Sequence, residues 1–217
     1  MSTVGDTKEY SDLYPYIRTE VPGAEPLMML QFVQQTVIEF LHRTQVWTRE
    51  LDPINIVDGT KQYELDLDVD CAIIDRVLKV QVEEITQLPF ADFIVVGDKT
   101  IIELKNEPTR DIAAGLVVWV SMRPHRDAEE LEERIFEDWF DEIASGVIYR
   151  MARQNNRSWS NPNTAELHRR LYRDGIRNAR IEVNRGSMNS ELVADQSKGF
   201  VVSDTGVRTS GKSQDTF

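Results

Sequence analysis

The sequence predicts an α+β protein. A helical framework of about three main helices is interrupted by an antiparallel β sandwich or barrel, with an extended arm at each end. Three observations carry this. Apolar residues recur at three and four in two separated stretches, 25–50 and 124–186, and alternate with polar residues in the segment 51–123 between them. With 217 residues, 41% of them hydrophobic, the chain is long enough for one or two domains and apolar enough to bury a core. The ends, 1–24 and 187–217, are mixed or polar and read as arms.

Residues 1–24 contain Pro15, Pro22 and Gly23 and read as an arm whose Tyr10, Tyr14 and Tyr16 are available for packing. Pro26 suits the first turn of a helix, where its missing N–H costs nothing. Leu27, Leu30, Val33, Val37, Phe40 and Leu41 then predict one amphipathic helix to about Thr44, ending near Trp47. The β segment follows. Residues 54–57, the Asp58-Gly59 turn and the alternating Tyr63, Leu65 and Leu67 predict a hairpin. Residues 73–82 read as a long strand. Residues 93–96 and 100–104, around Gly97-Asp98-Lys99, predict a second hairpin, and 116–122 is a continuous apolar strand that Pro124 closes.

Asp127 is placed to cap a helix running to about Gln154, with Leu131, Ile135, Trp139, Ile143, Val147 and Met151 on its buried face. Asn163 and Glu166, after Pro162, have capping-box spacing. Leu167, Leu171, Ile176, Ala179 and Val183 predict a third helix, with Gly186 placed to stop it. The tail 187–217 is too polar to fold alone, and Phe200, Val201, Val202 and Phe217 are its apolar anchors.

Charge narrows the function. The formal charge is −12, the opposite of what sequence-specific binding to DNA phosphates needs. It is also uneven. Residues 145–217 carry twelve basic and seven acidic side chains, whereas residues 1–144 carry thirteen basic and thirty acidic. Nine carboxylates between Asp127 and Glu142 oppose a single Arg134. Glu130, Glu133 and Glu137 on this stretch, and Arg169, Arg173, Arg177 and Arg180 on the last helix, are the candidate interface residues. Such faces can pair within one chain or between copies, or can simply be two solvated surfaces.

No reactive centre stands out. Cys71 is the one cysteine, which excludes an intrachain disulfide. No apolar run approaches the ~18 residues of a membrane span. The polar residues 1–12 have no secretion-signal core. His42, His125 and His168 lie on three different elements without metal-ligand spacing, so no metal or cofactor is expected. No nucleophile-elbow or phosphate-loop motif occurs. Asp138 and Glu142, four apart on the expected helix, have acid–base spacing, but a solvated acidic face explains them more simply. Asp66, Asp68 and Asp70 lack the glycine and downstream glutamate of a calcium loop. No catalytic residue is assigned, and the protein is not expected to be an enzyme.

Several strings carry a resemblance. Phe40-Leu41-His42-Arg43-Thr44-Gln45-Val46-Trp47, the helix from Trp139 through Arg150, Trp159-Ser160-Asn161-Pro162, Leu171-Tyr172-Arg173-Asp174-Gly175-Ile176 and Val183-Asn184-Arg185-Gly186 together resemble the head-to-tail adaptor proteins of short-tailed bacteriophages, over residues 25–186. The resemblance implies a virion protein, made in the host cytoplasm, that forms a homo-oligomeric ring, commonly of twelve copies. Such a ring joins the portal protein to the tail nozzle protein around the channel through which DNA passes without specific binding. It also implies that the C-terminal segment docks on the portal and that the β module faces the tail. At −12 each, twelve copies would carry about −144, a wall that repels phosphates. Two other readings compete: a cell-wall hydrolase using helix carboxylates, and a carbohydrate- or protein-binding β module.

Overall fold

Tyr10, Leu13, Ile17 and Val21 are spaced by three and four, and all four are fully buried in the computed structural model. The segment expected as an extended arm is therefore part of the core. It forms β1 (Thr7–Glu9), a 3₁₀ turn (Tyr10–Leu13) and α1 (Tyr14–Glu20), with Pro15 in the first turn of that helix. Its apolar spacing is helical, and the prolines sit where a helix tolerates them. The structure describes residues 6–69, 71–83 and 86–197, without the side chains of 86 and 186–197. The chain divides into two units, 1–183 and 184–217, and the described part of the second is helical. Phe200, Val201, Val202 and Phe217 lie outside the described residues.

The first long helix, α2 (Pro26–Thr44), has the predicted bounds. It stops at Gln45, which takes φ +60° and donates its N–H to the Leu41 carbonyl at 2.9 Å. Met29, Val33, Val37, Phe40 and Leu41 form its buried face, while Leu27 lies on the opposite side and is 67% exposed.

Nine further strands follow: β2 (Thr48–Glu50), β3 (Ile54–Ile56), β4 (Gln62–Glu64), β5 (Ala72–Val82), β6 (Thr86–Gln87), β7 (Phe93–Val96), β8 (Ile101–Leu104), β9 (Ile112–Pro124) and β10 (Glu130–Glu132). All pairings are antiparallel. The largest sheet runs β2-β9-β5-β6, with β3 also on β9; a three-stranded sheet runs β4-β8-β7; β1 pairs with β10. No closed barrel forms among the described residues. The second predicted hairpin is present, with Val96 opposite Ile101. The first is not. β3 pairs with β9 and β4 with β8, so the Asp58-Gly59 turn carries the chain from one sheet to another. β9 is 13 residues long, enough to hold β2 and β3 end to end along one edge.

The single helix expected from Asp127 is divided. Residues 130–132 pair with β1, and the chain then forms α3 (Glu133–Asp138) and α4 (Phe140–Ala152), with a break at Trp139. Leu131, Ile135, Trp139, Ile143, Val147 and Met151 are nonetheless all buried. The apolar spacing reports burial correctly. It does not report that Thr7–Glu9 offers backbone partners that make a strand of the first three residues.

The last helix, α5 (Pro162–Ser197), is capped by Asn161 and not by Asn163. The Asn161 Oδ1 accepts from the backbone N–H of Asn163 at 3.0 Å and of Thr164 at 3.2 Å. Gly186 does not stop the helix, which continues to Ser197. Its buried face is Ala165, His168, Tyr172, Ile176 and Ala179, so the predicted Leu167 and Leu171 point outward, 57% and 48% exposed.

Gly146 sets the distances between α4 and its neighbours. A Cβ there would lie 2.5 Å from Thr36 Cγ2 on α2 and 2.7 Å from Tyr172 Cε2 on α5. Gly146→Ala is expected to cost about 1–3 kcal/mol through overpacking, read from the denaturant midpoint. Trp139, tilted against Phe40 at 5.6 Å between ring centroids, is the larger test of the same core. Trp139→Ala is expected to cost about 3–5 kcal/mol; a loss below ~1 kcal/mol would contradict its burial.

Candidate functional site

The predicted acidic residues sit on the face that carries the N-terminal segment. Glu130 accepts from the Thr7 hydroxyl at 2.7 Å, and Glu133 and Glu137 lie 3.3 and 3.9 Å from the Lys8 ammonium. The hydrogen bond to Glu133 raises the Lys8 pKa. These pairs are solvent-exposed, so each adds little to stability.

The predicted arginines lie along α5. Arg169 forms a two-point contact with Glu166 at 2.7 and 2.8 Å, and Arg170 adds a third at 3.0 Å. These guanidinium hydrogen bonds hold the Glu166 carboxyl down at about 2. Arg177 pairs loosely with Asp174 at 3.6 Å, and Arg180 donates to the Arg43 carbonyl of α2 at 2.7 Å. Arg173 makes no ion pair among the described residues. Arg43, Arg170, Arg173, Arg177 and Arg180 line a groove of about 490 Å³ together with the apolar Ile176 and Ile181. Among the described residues, no carboxylate between Asp127 and Glu142 pairs with an arginine of α5. The two faces do not neutralise each other within the chain.

A second constellation escaped the sequence reading. β5 carries a bulge between Ile74 and Arg76, where the register against β9 shifts. A bulge breaks the two-residue alternation, so Ile74 and Asp75 are both buried. Asp75, 1% exposed, is met by basic side chains from several elements. His42 Nδ1 on α2 donates to its two oxygens at 2.8 and 3.0 Å. Arg123 Nε on β9 lies at 3.4 Å and Lys99 Nζ in the β7–β8 loop at 3.5 Å, with Arg76 farther off at 3.9 Å. Lys99 also donates to the Asp75 carbonyl. Asp98 and Lys99 take φ of +53° and +72°, so this reach uses left-handed backbone at non-glycine positions. Above the cluster is an open cavity of about 1020 Å³, lined by His42, Lys99, Arg123, Arg126, Arg150 and Glu39 among others. Among the described residues, no serine, threonine or cysteine lines it. The one sequence signal was a lone acid inside the apolar run Ile73-Ile74-Asp75.

The acid–base pair Asp138 and Glu142 is split by the break at Trp139. Asp138 pairs with Arg134 at 3.8 Å. Glu142 is half-buried on α4 over Gly175, where an added Cβ would lie 2.2 Å from its Cγ, and burial raises its pKa. Asp66 and Asp68 are exposed in the loop after β4, and Asp70 lies outside the described residues. His125 is exposed, His168 is buried, and Cys71 is half-buried before β5. No group of three metal-ligating side chains exists among the described residues. No described helix is long and apolar enough to cross a membrane. No protein-family model matches the chain, and a search of curated proteins finds no match.

Glu142 gives a signed test. Its folded pKa lies above the ordinary 4.5, so its contribution is fully present below pH 4.5 and is lost as pH rises through the folded value. Glu142→Gln should therefore gain stability relative to the wild type across that rise, measured by denaturation at several pH values. A constant difference between the two proteins would contradict the burial effect.

Proposed function

We propose that the protein is a structural virion component. It is a ring-forming adaptor, commonly twelve copies, that joins a portal to a tail nozzle around a DNA channel. The observation that carries this reading is the pair of charged faces left open within one chain. Glu130, Glu133 and Glu137 lie on one element group and Arg169, Arg173, Arg177 and Arg180 on another, with no ion pair between the groups among the described residues. Leu167, Leu171 and Ile181 are exposed along the same last helix, next to its arginines. A head-to-tail contact between unlike faces repeats until it closes, which is how rings form. Apolar area adds affinity to such a contact, and charge sets its register.

The rest of the reading follows the resemblance. The two larger sheets make a sandwich-like module toward the tail. Residues 187–217, with Phe200, Val201, Val202 and Phe217, dock on the portal. A net charge of −12 per copy keeps the channel wall from gripping the duplex. The hydrolase and the free-standing β-binding readings gather no comparable support.

Light scattering on the full chain with portal protein tests this. The expected gain in mass over portal alone is near twelve times the 25.0 kDa chain. Replacing Arg173 and Arg177 with Glu should abolish it, and adding Glu133→Arg and Glu137→Arg should restore it. A persistent monomer in the wild type, or assembly indifferent to both sets of changes, would contradict the proposal. Deleting residues 187–217 should leave the circular-dichroism spectrum of the remainder folded while ending co-sedimentation with portal; unchanged co-sedimentation would remove the tail from the account.

A further inference from the structure

The cavity above Asp75 holds more positive charge than its own carboxylates balance. Lys99, Arg123, Arg126 and Arg150 face two acids, Asp75 and Glu39. Asp75 is shared among His42, Lys99, Arg123 and Arg76, and Glu39 between Arg150 and Arg43. Arg126 is exposed and makes no ion pair among the described residues. Arg150 has a buried Nε that meets no acceptor. An excess of two cations inside a chain of net charge −12 is a local reversal of sign.

We propose that this cavity is a binding site for a small phosphorylated molecule. Two surplus charges match a phosphate group, which carries about −1.5 to −2 and offers three strong acceptor oxygens. Guanidinium forks suit those oxygens, and the ammonium of Lys99 adds a point charge. The volume, about 1020 Å³, leaves room for more than a phosphate. The remaining wall is a stripe of α2, Gln31, Gln34, Gln35 and Ile38. Gln34 already donates to the Ala128 carbonyl at 3.0 Å, which leaves the amides of Gln31 and Gln35 to meet a polar body such as a sugar or a base. A recess suits a compact anion better than a DNA duplex, and the whole chain carries −12.

The site is built on rigid parts. His42, Asp75 and Arg123 come from α2, β5 and β9, and the Asp75 contacts hold Arg123 and Lys99 at the wall whether or not a ligand is present. Asp75 is a positioning residue in this account. It arranges the cations and stays buried beneath them.

Isothermal titration on the full chain at low ionic strength tests the assignment, with ADP and ribose 5-phosphate as probes and adenosine and ribose as their unphosphorylated controls. The expected result is binding of at least one phosphorylated probe and of neither control. Arg126→Gln, which leaves the Asp75 contacts untouched, should weaken binding by about tenfold or more. Arg110→Gln, whose side chain pairs with Glu83 at 2.8 Å away from the cavity, should leave it unchanged. The assignment is overturned if no phosphorylated probe binds, if the controls bind equally well, or if the two variants lose affinity alike. Tighter binding of a short DNA duplex than of either probe would also overturn it, in favour of a nucleic-acid surface. None of these outcomes bears on ring assembly.

Discussion

One buried carboxylate ties the helical part of the molecule to its sheets. Asp75 sits on a bulge of β5 and meets His42 from α2, Arg123 from β9 and Lys99 from the β7–β8 loop. A charge taken out of water is costly unless partners surround it, so all of these elements must be in place together. Rotating the helix, lifting the loop or shifting the register of β5 would each take partners from the carboxylate. The constraint also has a chemical consequence. Holding one anion with several cations leaves positive charge over, and that surplus lines the cavity above.

The same logic runs in reverse on the outer faces. Among the described residues, the ion pairs of the acids of 130–142 and of the arginines of α5 are few and exposed, such as those with Lys8 and Glu166. Local exposed pairs are weak, and they leave the wider imbalance standing. Apolar side chains beside the arginines, Leu167, Leu171 and Ile181, stay about half exposed. A surface that is basic and partly apolar, together with an acidic surface elsewhere on the same chain, is what the proposed repeated contact would use. Inside the chain, residues 10–21, α2, α4 and β9 share one continuous apolar cluster. Residues 10–21, expected as an arm, supply Tyr10, Leu13, Ile17 and Val21 to that cluster.

Periodicity made much of this legible. Pro26–Thr44, the Gly97 hairpin, the two long strands and the buried apolar series from Leu131 to Met151 all stand where the residue pattern places them. The pattern failed where a distant partner decides the outcome. Leu131 reads as helix by spacing, yet β1 supplies a strand partner 123 residues away in sequence. Leu167 and Leu171 read as core, yet the face of α5 that α4 receives is set by Gly146 and Tyr172. The Asp58-Gly59 turn is visible, but a turn does not say which sheet the next strand joins. The interface acids and arginines were legible as charge. The cavity was not, because its residues come from five parts of the chain and its centre depends on a bulge that no local pattern announces.

Electron microscopy of the full chain mixed with portal rings bears most directly on the claim that its outer faces are made for further copies. The account predicts closed annuli with an open axis, stacked on the portal. Isolated particles of single-chain size beside bare portals, at every concentration, would contradict it.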